Sequence, residues 1–465
     1  MSIIAAFMVP HPPMIIPQVG KGGEKQVRKT TDSYMRVAGE IAGLKPDTII
    51  ISSPHSVMYS DYFHISPGKT AHGSFSEFGA PDVRFDVEYD TEFVDCLSGL
   101  AADRHFPAGT LGEKNRALDH GTMVPLYFIM QKYRDFRLVR TGLSGLDLPM
   151  HYEYGMMIRD TAERLGRRVV YIASGDLSHK LQSYGPYGFA EEGPEYDARI
   201  MDVCGNARFG ELFDFSESFC EKAAECGHRS FVIMAGALDG VRVKPQQLSH
   251  EDVTGVGYGI CTFYPDETDA SVCGEREFLK LRLEAEEKEL TAGREKSDVY
   301  VRLARASAEY YVKNRKVMKM PDWVPPELLE SRSGVFVSVH KHDRLRGCIG
   351  TFLPTRKNLA EEIIQNAVSA VSDDPRFDPV EEDELKWLDI NVDVLSTPEQ
   401  IESKDDLDVK KYGVIVQCGS KRGLLLPDLD GVDTVDRQIS IAMRKANIAP
   451  GSSIDLYRFE VVRHV

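Results

Sequence analysis

Residues 3–13 read Ile-Ile-Ala-Ala-Phe-Met-Val-Pro-His-Pro-Pro, and residues 48–56 read Thr-Ile-Ile-Ile-Ser-Ser-Pro-His-Ser. In both stretches a short apolar run is followed by a proline and a histidine, at His11 and His55. Such runs predict buried strands of a parallel sheet. Ligands of open α/β sheets bind beyond the carboxyl ends of strands, and neutral imidazole is a common metal ligand. The two stretches therefore predict a metal site.

A third stretch repeats this pattern. The apolar residues 169–173 lead into Ser-Gly-Asp-Leu-Ser-His at residues 174–179. A single histidine after a strand is more often a hydrogen-bonded loop residue than a ligand, but three in the same position favour a shared site. His179 is therefore a third candidate. The plain alternative is a loop histidine beside a helix that starts around Ser178.

Composition narrows the possible classes of protein. With 465 residues the chain exceeds what one hydrophobic core usually supports, so two domains are expected. Its formal charge of -16 argues against a nucleic-acid groove, which needs a basic face. No apolar stretch approaches the roughly 20 residues of a membrane helix and no signal peptide is recognised, so we expect a cytoplasmic protein. Eight cysteines without a CxxC pair indicate reduced thiols.

The order of segments predicts two domains joined by a charged connector. Residues 1–265 alternate strand-like and helical stretches, which indicates an α/β fold with a mixed or parallel sheet covered by helices. Residues 266–297 are rich in Glu, Lys and Arg and predict a helical linker. Apolar residues at helical spacing resume beyond it, so residues 298–465 are expected to form a second domain.

Two further segments of the first domain carry candidate site residues. His120 follows Asp119 just before a predicted helix. Asp119 can cap that helix, and His120 can bind substrate or support a ligand. Farther on, Glu225 and Cys226 precede a glycine and another histidine, which brings a carboxylate, a thiol and an imidazole into one segment. This segment is the second source of possible metal ligands.

These motifs together resemble the class III extradiol dioxygenase superfamily, which includes LigB-type ring-cleaving enzymes and Memo proteins. The shared motifs are PHPP, SPHS, LDHG, GDLSH and ECG, in this order over about 240 residues. The resemblance implies a metal-dependent oxidoreductase that opens a catechol- or aminophenol-type ring with O₂. It assigns His11 and His55 as metal ligands, His179 as the acid/base residue and His120 as a residue of the substrate pocket.

Two adjacent residues are candidates for the third metal ligand. In ring-cleaving members it is a glutamate, matched here by Glu225, whereas Memo proteins have a Cys-Gly pair, matched by Cys226 and Gly227. Adjacent side chains usually point in different directions, so only one of the two is expected to face the metal. Glu225 is preferred, because it completes the two-histidine, one-carboxylate set of Fe(II) oxygenases. Cys226 would favour zinc or copper.

The second domain carries a different signature. Residues 345–350 read Leu-Arg-Gly-Cys-Ile-Gly, followed by Asp-Pro-Arg-Phe at 374–377 and a strand-like run at 390–396. This part resembles the AMMECR-type domain over about 170 residues, which implies an α+β fold. Arg346 and Cys348 are candidates for a ligand site. Equally, the glycines of the hexapeptide serve tight turns and Cys348 is a small buried residue.

A chain that combines both parts resembles the A proteins of the AmmeMemoRadiSam system, which are grouped with a Memo protein and a radical SAM enzyme. The resemblance implies a radical SAM partner in addition to a small aromatic substrate and O₂. Fe(II) is the expected cofactor, with zinc or copper as alternatives. A second class of function stays open, namely a Memo-like, non-catalytic protein that handles metal or binds partners. The histidine set with Glu225 favours the enzyme, and Cys226 favours the second class.

Overall fold

The computed structural model describes residues 2–114, 117–266, 276–342, 344–429 and 431–465. The chain divides into two compact units, Met1–Leu283 and Glu284–Val465. This division falls within the predicted linker, residues 266–297, of which residues 267–275 lie outside the described residues. The described part of the linker is mostly helical. Phe278 packs on the core of the first unit, and Arg294 donates to the carbonyl oxygen of Lys386 in the second.

The first unit alternates strands and α-helices. Its strands are β1 (Ile3–Val9), β2 (Thr48–Ser53), β3 (Phe63–His64), β4 (Thr70–Phe75), β5 (Ala80–Glu88), β6 (Ala108–Gly109), β7 (Arg137–Gly142), β8 (Val169–Ser174), β9 (Val243–Glu251) and β10 (Tyr258–Pro265). Its helices are α1 (Pro17–Gly20), α2 (Arg28–Leu44), α3 (Thr91–Asp103), α4 (His120–Ile129), α5 (Leu148–Leu165), α6 (Glu192–Gly205), α7 (Glu217–Ala223), α8 (His228–Ala237) and α9 (Phe278–Lys296), and α9 extends into the second unit.

A six-stranded mixed sheet lies at the centre of the first unit, in the order β7-β2-β8-β1-β10-β9. The first four strands are parallel, and β10 and β9 complete the sheet as antiparallel neighbours. Alternate residues of β1 enter two different cores. Ala6 and Met8 pack with residues of α3, α5 and α8, whereas Phe7 and Val9 pack with residues of α2 and α4. Because helices cover both faces, the strand is apolar at every position, and the predicted fold class is confirmed.

Three parallel neighbours end at the same edge of this sheet. β8 lies between β1 and β2, and its pairing with β1 runs as far as Val9 and Ser174. Its pairing with β2 runs as far as Ser52 and Ala173. The segments that carry His11, His55 and residues 175–179 therefore begin side by side.

The second unit contains two four-stranded antiparallel sheets. Their strands are β11 (Val335–Lys341), β12 (Arg344–Thr351), β13 (Leu388–Leu395), β14 (Glu399–Ile401), β15 (Gly413–Cys418), β16 (Lys421–Leu425), β17 (Asp455–Phe459) and β18 (Val461–His464). The helices are α10 (Val299–Asn314), α11 (Pro326–Glu330), α12 (Leu359–Ser372) and α13 (Val435–Lys445). The sheet β12-β11-β13-β18 packs on α10 and α12, and the sheet β14-β17-β15-β16 packs on α13. This is the α+β architecture expected for the second domain.

The two glycines of the 345–350 hexapeptide lie within a strand rather than in turns. A Cβ on Gly347 would lie 2.0 Å from the carbonyl oxygen of Ala370 in α12. A Cβ on Gly350 would lie 2.2 Å from Cγ of Phe336. The tight-turn interpretation is therefore wrong, because these glycines let a helix and an aromatic ring approach β12. Among the described residues, no helix is long and apolar enough to cross a membrane.

Candidate metal centre

His11 follows β1 directly and is 1% exposed. Its backbone N–H donates to Oδ1 of Asp176 over 2.7 Å, and its Nδ1 lies 2.9 Å from Oγ of Ser174. The Ser174 hydroxyl donates its one hydrogen to the carbonyl oxygen of Gly121, 2.6 Å away. Ser174 must therefore accept from Nδ1–H of His11, which leaves the lone pair on Nε2. Burial and the neighbouring imidazoles hold the pKa of His11 well below its usual range, so the ring is neutral.

Three possible ligand atoms converge at this point. Nε2 of His11 lies 3.0 Å from Nε2 of His55, and Sγ of Cys226 lies 3.6 Å from Nε2 of His11. One ligand atom from each residue lies within 4.8 Å of the other two. Two imidazole nitrogens and a thiol sulfur are a donor set used for zinc and copper. The chemistry and spacing of His11, His55 and Cys226 therefore fit a metal ion.

His55 is held in place by the start of α4. The Oγ atom of Ser53 accepts the backbone N–H of His55 over 3.2 Å and donates to Oδ1 of Asp119 over 2.5 Å. Asp119 also accepts the N–H of Thr122, as its predicted capping role requires. A Cβ on Gly121 would lie 2.3 Å from Oγ of Ser53, so the glycine allows the helix to approach β2. One serine thus connects the loop of His55 with the helix that begins at His120.

Cys226 reaches the site through a contact between two glycines. A Cβ on Gly175 would lie 2.1 Å from Cα of Gly227. Any larger residue at position 175 would separate the end of β8 from the start of α8. At this contact the N–H of Gly227 donates to the carbonyl oxygen of Asp176 over 3.2 Å, and the N–H of Asp176 lies 3.3 Å from Sγ of Cys226. The GDLSH and ECG motifs are therefore adjacent in space.

The carboxylate of Glu225, the expected third ligand, is engaged at the start of α8. Oε2 of Glu225 accepts the backbone N–H of His228, the first residue of α8, over 2.6 Å. Free N–H groups at a helix start attract a carboxylate, and adjacent side chains diverge, so the thiol faces the two histidines instead. Burial raises the pKa of Glu225 to about 7. The alternative residue, Cys226, is the one that the structure brings to His11 and His55.

His120 lies beside His11 and His55. The centroids of the His120 and His55 rings are 4.0 Å apart, and those of the His120 and His11 rings are 5.4 Å apart. The ring of Phe78 lies on another side of His120, with its centroid 5.4 Å away. Burial lowers the pKa of His120, which favours the neutral imidazole. His120 and Phe78 therefore form an aromatic wall next to the converging ligand atoms.

His179 lies in the same group of histidines. Its Nδ1 is hydrogen-bonded to the carbonyl oxygen of Ala224. Because a carbonyl only accepts, Nδ1 carries the hydrogen and Nε2 is the basic nitrogen. Burial lowers the pKa of His179, and its proximity contributes to the lowered pKa of His11. The ring of Tyr187 stands edge-on to His179, with the centroids 5.0 Å apart.

Sequence reasoning assigned no role to three residues that position this site. Ser174 fixes the tautomer of His11, Ser53 connects His55 with Asp119, and Asp176 accepts the backbone N–H of His11. Burial raises the pKa of Asp176 to about 7. Each serine is the last residue of a fully buried strand. A polar residue that ends a fully buried strand was the signal that could have identified them.

The structure gives Arg346 and Cys348 different surroundings. Nε and Nη2 of Arg346 donate to the two carboxylate oxygens of Glu384 over 3.0 and 2.9 Å, and Nη1 donates to the carbonyl oxygen of Asp378 over 2.8 Å. Although burial opposes it, hydrogen bonding from Arg346 keeps the pKa of Glu384 low, at about 2. Sγ of Cys348 instead accepts the hydroxyl of Ser338 over 3.2 Å. The guanidinium of Arg346 is therefore engaged by Glu384 and Asp378 within the fold.

Comparisons with known proteins agree with the two-part organisation. The family model described as the catalytic LigB subunit of aromatic ring-opening dioxygenase matches residues 5–261, and the AMMECR1 family model matches residues 301–464. Protein CA_C1420 of Clostridium acetobutylicum is 39% identical over 472 aligned residues, covering 100% of this chain and 99% of that protein. A protein of Thermotoga maritima is 51% identical over 167 residues, covering 36% of this chain and 96% of its own. The crystal structure of uncharacterized protein PH0010 from Pyrococcus horikoshii covers 37% of this chain and 91% of its own, with 33% identity and a TM-score of 0.35.

Proposed function

Because this chain belongs to the LigB family of aromatic ring-opening dioxygenases and also carries an AMMECR1 domain, we propose that its first unit is a metal-dependent oxidoreductase. The observation that carries the proposal is the convergence of His11, His55 and Cys226, whose ligand atoms lie within 4.8 Å of one another. The proposed substrate is a small hydroxylated aromatic molecule of the catechol or aminophenol type. The proposed oxidant is O₂.

The donor atoms of the site determine which metal is proposed. Two imidazoles and a thiolate are softer than the two-histidine, one-carboxylate set of Fe(II) oxygenases, so copper is proposed ahead of Fe(II) as the redox-active metal. Zinc fits the same ligands but supplies no redox chemistry. Burial raises the pKa of the Cys226 thiol well above its ordinary value, so metal binding must displace a proton from it. We therefore expect metal affinity to increase as the pH rises.

The remaining side chains suggest how substrate would be handled. A bound metal would acidify a substrate hydroxyl and connect the substrate electronically with O₂. His179 is proposed to take the proton, because its Nδ1 donates to Ala224 and leaves Nε2 as the base. The lowered pKa of His179, caused by burial, keeps that base neutral at pH 7. The wall formed by His120 and Phe78 is proposed to contact the aromatic ring.

A second candidate function is metal handling without oxygenase chemistry. Cys226 itself favours it, because a thiol at this place is the Memo-like feature of the chain and replaces the carboxylate of ring-cleaving members. The union of LigB and AMMECR1 domains also supports the proposal that the protein belongs to an AmmeMemoRadiSam system, with a radical SAM protein as its partner. Reciprocal co-purification of the two proteins at native expression levels tests that partnership, and separate elution in both directions would contradict it.

Metal analysis combined with O₂ uptake distinguishes the two functions. The full-length chain is purified anaerobically, offered copper, iron or zinc, and assayed over a panel of catechols and aminophenols. About one metal per chain together with substrate-dependent O₂ uptake supports the oxidoreductase. Tight metal binding without O₂ uptake on any substrate supports metal handling. If no metal binds better than to the variant His11→Ala/His55→Ala, which lacks two ligand atoms, both proposals are wrong.

A further inference from the structure

A largely buried ion pair lies next to the loop that carries His179. Nε2 of His250 in β9 lies 2.6 Å from Oδ2 of Asp197 in α6. The Asp197 side chain is 3% exposed, and the His250 side chain is 30% exposed. Neither residue is one of the three possible metal ligands. Because removing a carboxylate from water costs free energy, the reason for this pair must be sought in what Asp197 holds.

The carboxylate of Asp197 connects this pair with the GDLSH loop. Its other oxygen, Oδ1, accepts the backbone N–H of Ser178, a fully buried residue, over 2.8 Å. The carbonyl oxygen of Ser178 accepts the N–H of Gly257, also over 2.8 Å. A Cβ on Gly257 would lie 2.0 Å from Oδ2 of Asp197. The glycine therefore lets the carboxylate approach the backbone of the loop.

His250 helps to keep Asp197 in the form that accepts hydrogen bonds. Burial raises the pKa of Asp197, and the hydrogen bonds from His250 and Ser178 oppose that shift. Hydrogen bonding to Asp197 in turn raises the pKa of His250. An ionised carboxylate accepts at both oxygens and is a stronger acceptor than a neutral carboxyl group. Loss of the His250 donor would therefore weaken the hold of Asp197 on Ser178.

Ser178 and His179 are also fixed to the end of α7. The hydroxyl of Ser178 donates to the carbonyl oxygen of Ala223 over 2.8 Å, and the N–H of His179 donates to the same oxygen over 3.3 Å. Nδ1 of His179 donates to the carbonyl oxygen of the next residue, Ala224. The ring of His179 is thus held to α7, and Ser178, its neighbour, is held to both α7 and Asp197. Through Ser178, the orientation of the His179 ring depends on the ion pair.

We propose that Asp197 and His250 are positioning residues, which hold the base His179 in the orientation that proton transfer requires. The inference rests on the proposed oxidoreductase function, in which His179 takes the substrate proton. A general base acts only within hydrogen-bond reach of that proton, so small displacements of its loop lower the rate. His250 directs the carboxylate of Asp197, and Asp197 directs the backbone of Ser178 beside the base.

Two variants of His250 test this proposal in the full-length, metal-loaded chain. His250→Gln retains an N–H group that can donate to Asp197, whereas His250→Leu has no donor. His72→Leu, which removes an exposed histidine from another ion pair, is the matched control. Three quantities are measured for each variant. They are the metal affinity by titration against a chromophoric chelator, kcat and KM for substrate-dependent O₂ uptake, and the hydrogen–deuterium exchange of a peptide that contains Ser178 and His179.

In His250→Leu we expect kcat to fall about 10- to 100-fold, the usual cost of losing a group that orients a functional residue, with KM and metal affinity within about twofold of the unmodified protein. Exchange of the Ser178 peptide should be about tenfold faster, because the loop opens more easily when Asp197 no longer holds it. His250→Gln should keep both quantities close to those of the unmodified protein. His72→Leu should change none of the three.

Four results would overturn the proposal. They are an unchanged kcat in His250→Leu, a lower kcat without faster exchange, faster exchange without a lower kcat, and equal losses of kcat in His250→Gln and His250→Leu. If His250→Leu does not fold, His250→Asn takes its place, because the shorter amide cannot reach Asp197, and the same outcomes apply. Absence of O₂ uptake by the unmodified protein would contradict the proposed function and this inference with it, whereas an unchanged kcat would contradict the inference alone.

Discussion

Cys226 and Cys348 are both half-buried thiols next to a glycine, and burial raises the pKa of each, yet their surroundings differ. Around Cys226 the nearest polar side chains are the imidazoles of His11 and His55. Around Cys348 they are the hydroxyl of Ser338 and the carboxylate of Asp374, which accepts the backbone N–H of Cys348 and is paired with Arg376. A thiol beside two imidazoles supplies a set of metal donor atoms, whereas a thiol beside a hydroxyl and a closed ion pair does not. The neighbours of each thiol, rather than the residue type, therefore determine what it is suited to bind.

The largest expected effect comes from removing the thiol of the first site. Cys226→Ala takes away a ligand atom. Because loss of a residue that only supports a ligand costs about 10- to 100-fold in metal affinity, we expect a loss of more than about a hundredfold here. Titration against a chromophoric chelator measures the affinity. Cys220→Ala, which removes a neighbouring half-buried thiol of α7, should leave it unchanged.

The same titration on Glu225→Gln tests whether the carboxylate of Glu225 is a metal ligand. An amide oxygen can still accept the N–H of His228, so metal affinity should stay close to that of the unmodified protein. If Glu225→Gln lost the metal while Cys226→Ala retained it, the carboxylate would be the ligand. Cys226 and Cys348 would then no longer differ in metal binding.

The next effect concerns the different roles of the histidines around Cys226. His179 lies outside the group of ligand atoms, so His179→Ala should retain the metal. Turnover of an accepted aromatic substrate should fall about 10²- to 10⁴-fold, the usual contribution of a positioned acid/base residue. O₂ uptake per bound metal is the measurement, and His72→Ala, an exposed histidine paired with Asp86, is the control. Loss of metal from His179→Ala would assign that residue to the ligands instead.

A smaller effect should follow from removing the hydroxyl that fixes His11. In Ser174→Ala the Nδ1–H of His11 loses its acceptor, so the orientation and tautomer of the ring are no longer held. We expect metal affinity to fall about 10- to 100-fold. Ser338→Ala, the control, removes the hydroxyl that contacts the Cys348 thiol. The metal affinity measured by the chelator titration should be unchanged in this variant. Equal affinities for both variants and the unmodified protein would mean that Ser174 does not orient the ligand.

Much of the first site could be predicted from the sequence because its signals are local. The apolar runs before His11, His55 and residues 174–179 identified three buried strands, and parallel strands deliver their carboxyl ends to one edge. The capping role of Asp119 was equally local, since it needs only the helix that follows. Short-range sequence patterns therefore predict that these three loops meet at one edge of the sheet.

The surroundings of Glu225 and Arg346 depend on partners that the local pattern does not contain. The carboxylate of Glu225 is directed by the backbone N–H groups at the start of α8, and choosing between it and Cys226 requires the packing of Gly175 on Gly227. Arg346 is bound by Glu384, 38 positions away in sequence.

The smallest expected effect comes from removing the guanidinium of Arg346. Both tryptophans of the chain lie in the second unit, so tryptophan fluorescence follows the unfolding of that unit alone. Arg346→Gln removes two charge-assisted hydrogen bonds to Glu384, and we expect a loss of about 2 kcal/mol of unfolding free energy at pH 7, measured in urea. Arg422→Gln, an exposed arginine bound to a glutamine, should cost less than about 0.5 kcal/mol.

The pH dependence of that loss tests whether the Arg346–Glu384 pair is its cause. The pKa of Glu384 is about 2 in the folded protein, below the ordinary value of 4.5 that applies after unfolding. A carboxylate with a depressed folded pKa stabilises the fold above its unfolded pKa, and this contribution disappears as the pH falls toward its folded pKa. The difference between the unmodified protein and Arg346→Gln should therefore be full at pH 7 and shrink between about pH 4.5 and pH 2. A difference that stayed constant over this range would show that Arg346 stabilises the unit through packing or its bonds to backbone carbonyls, and not through the carboxylate.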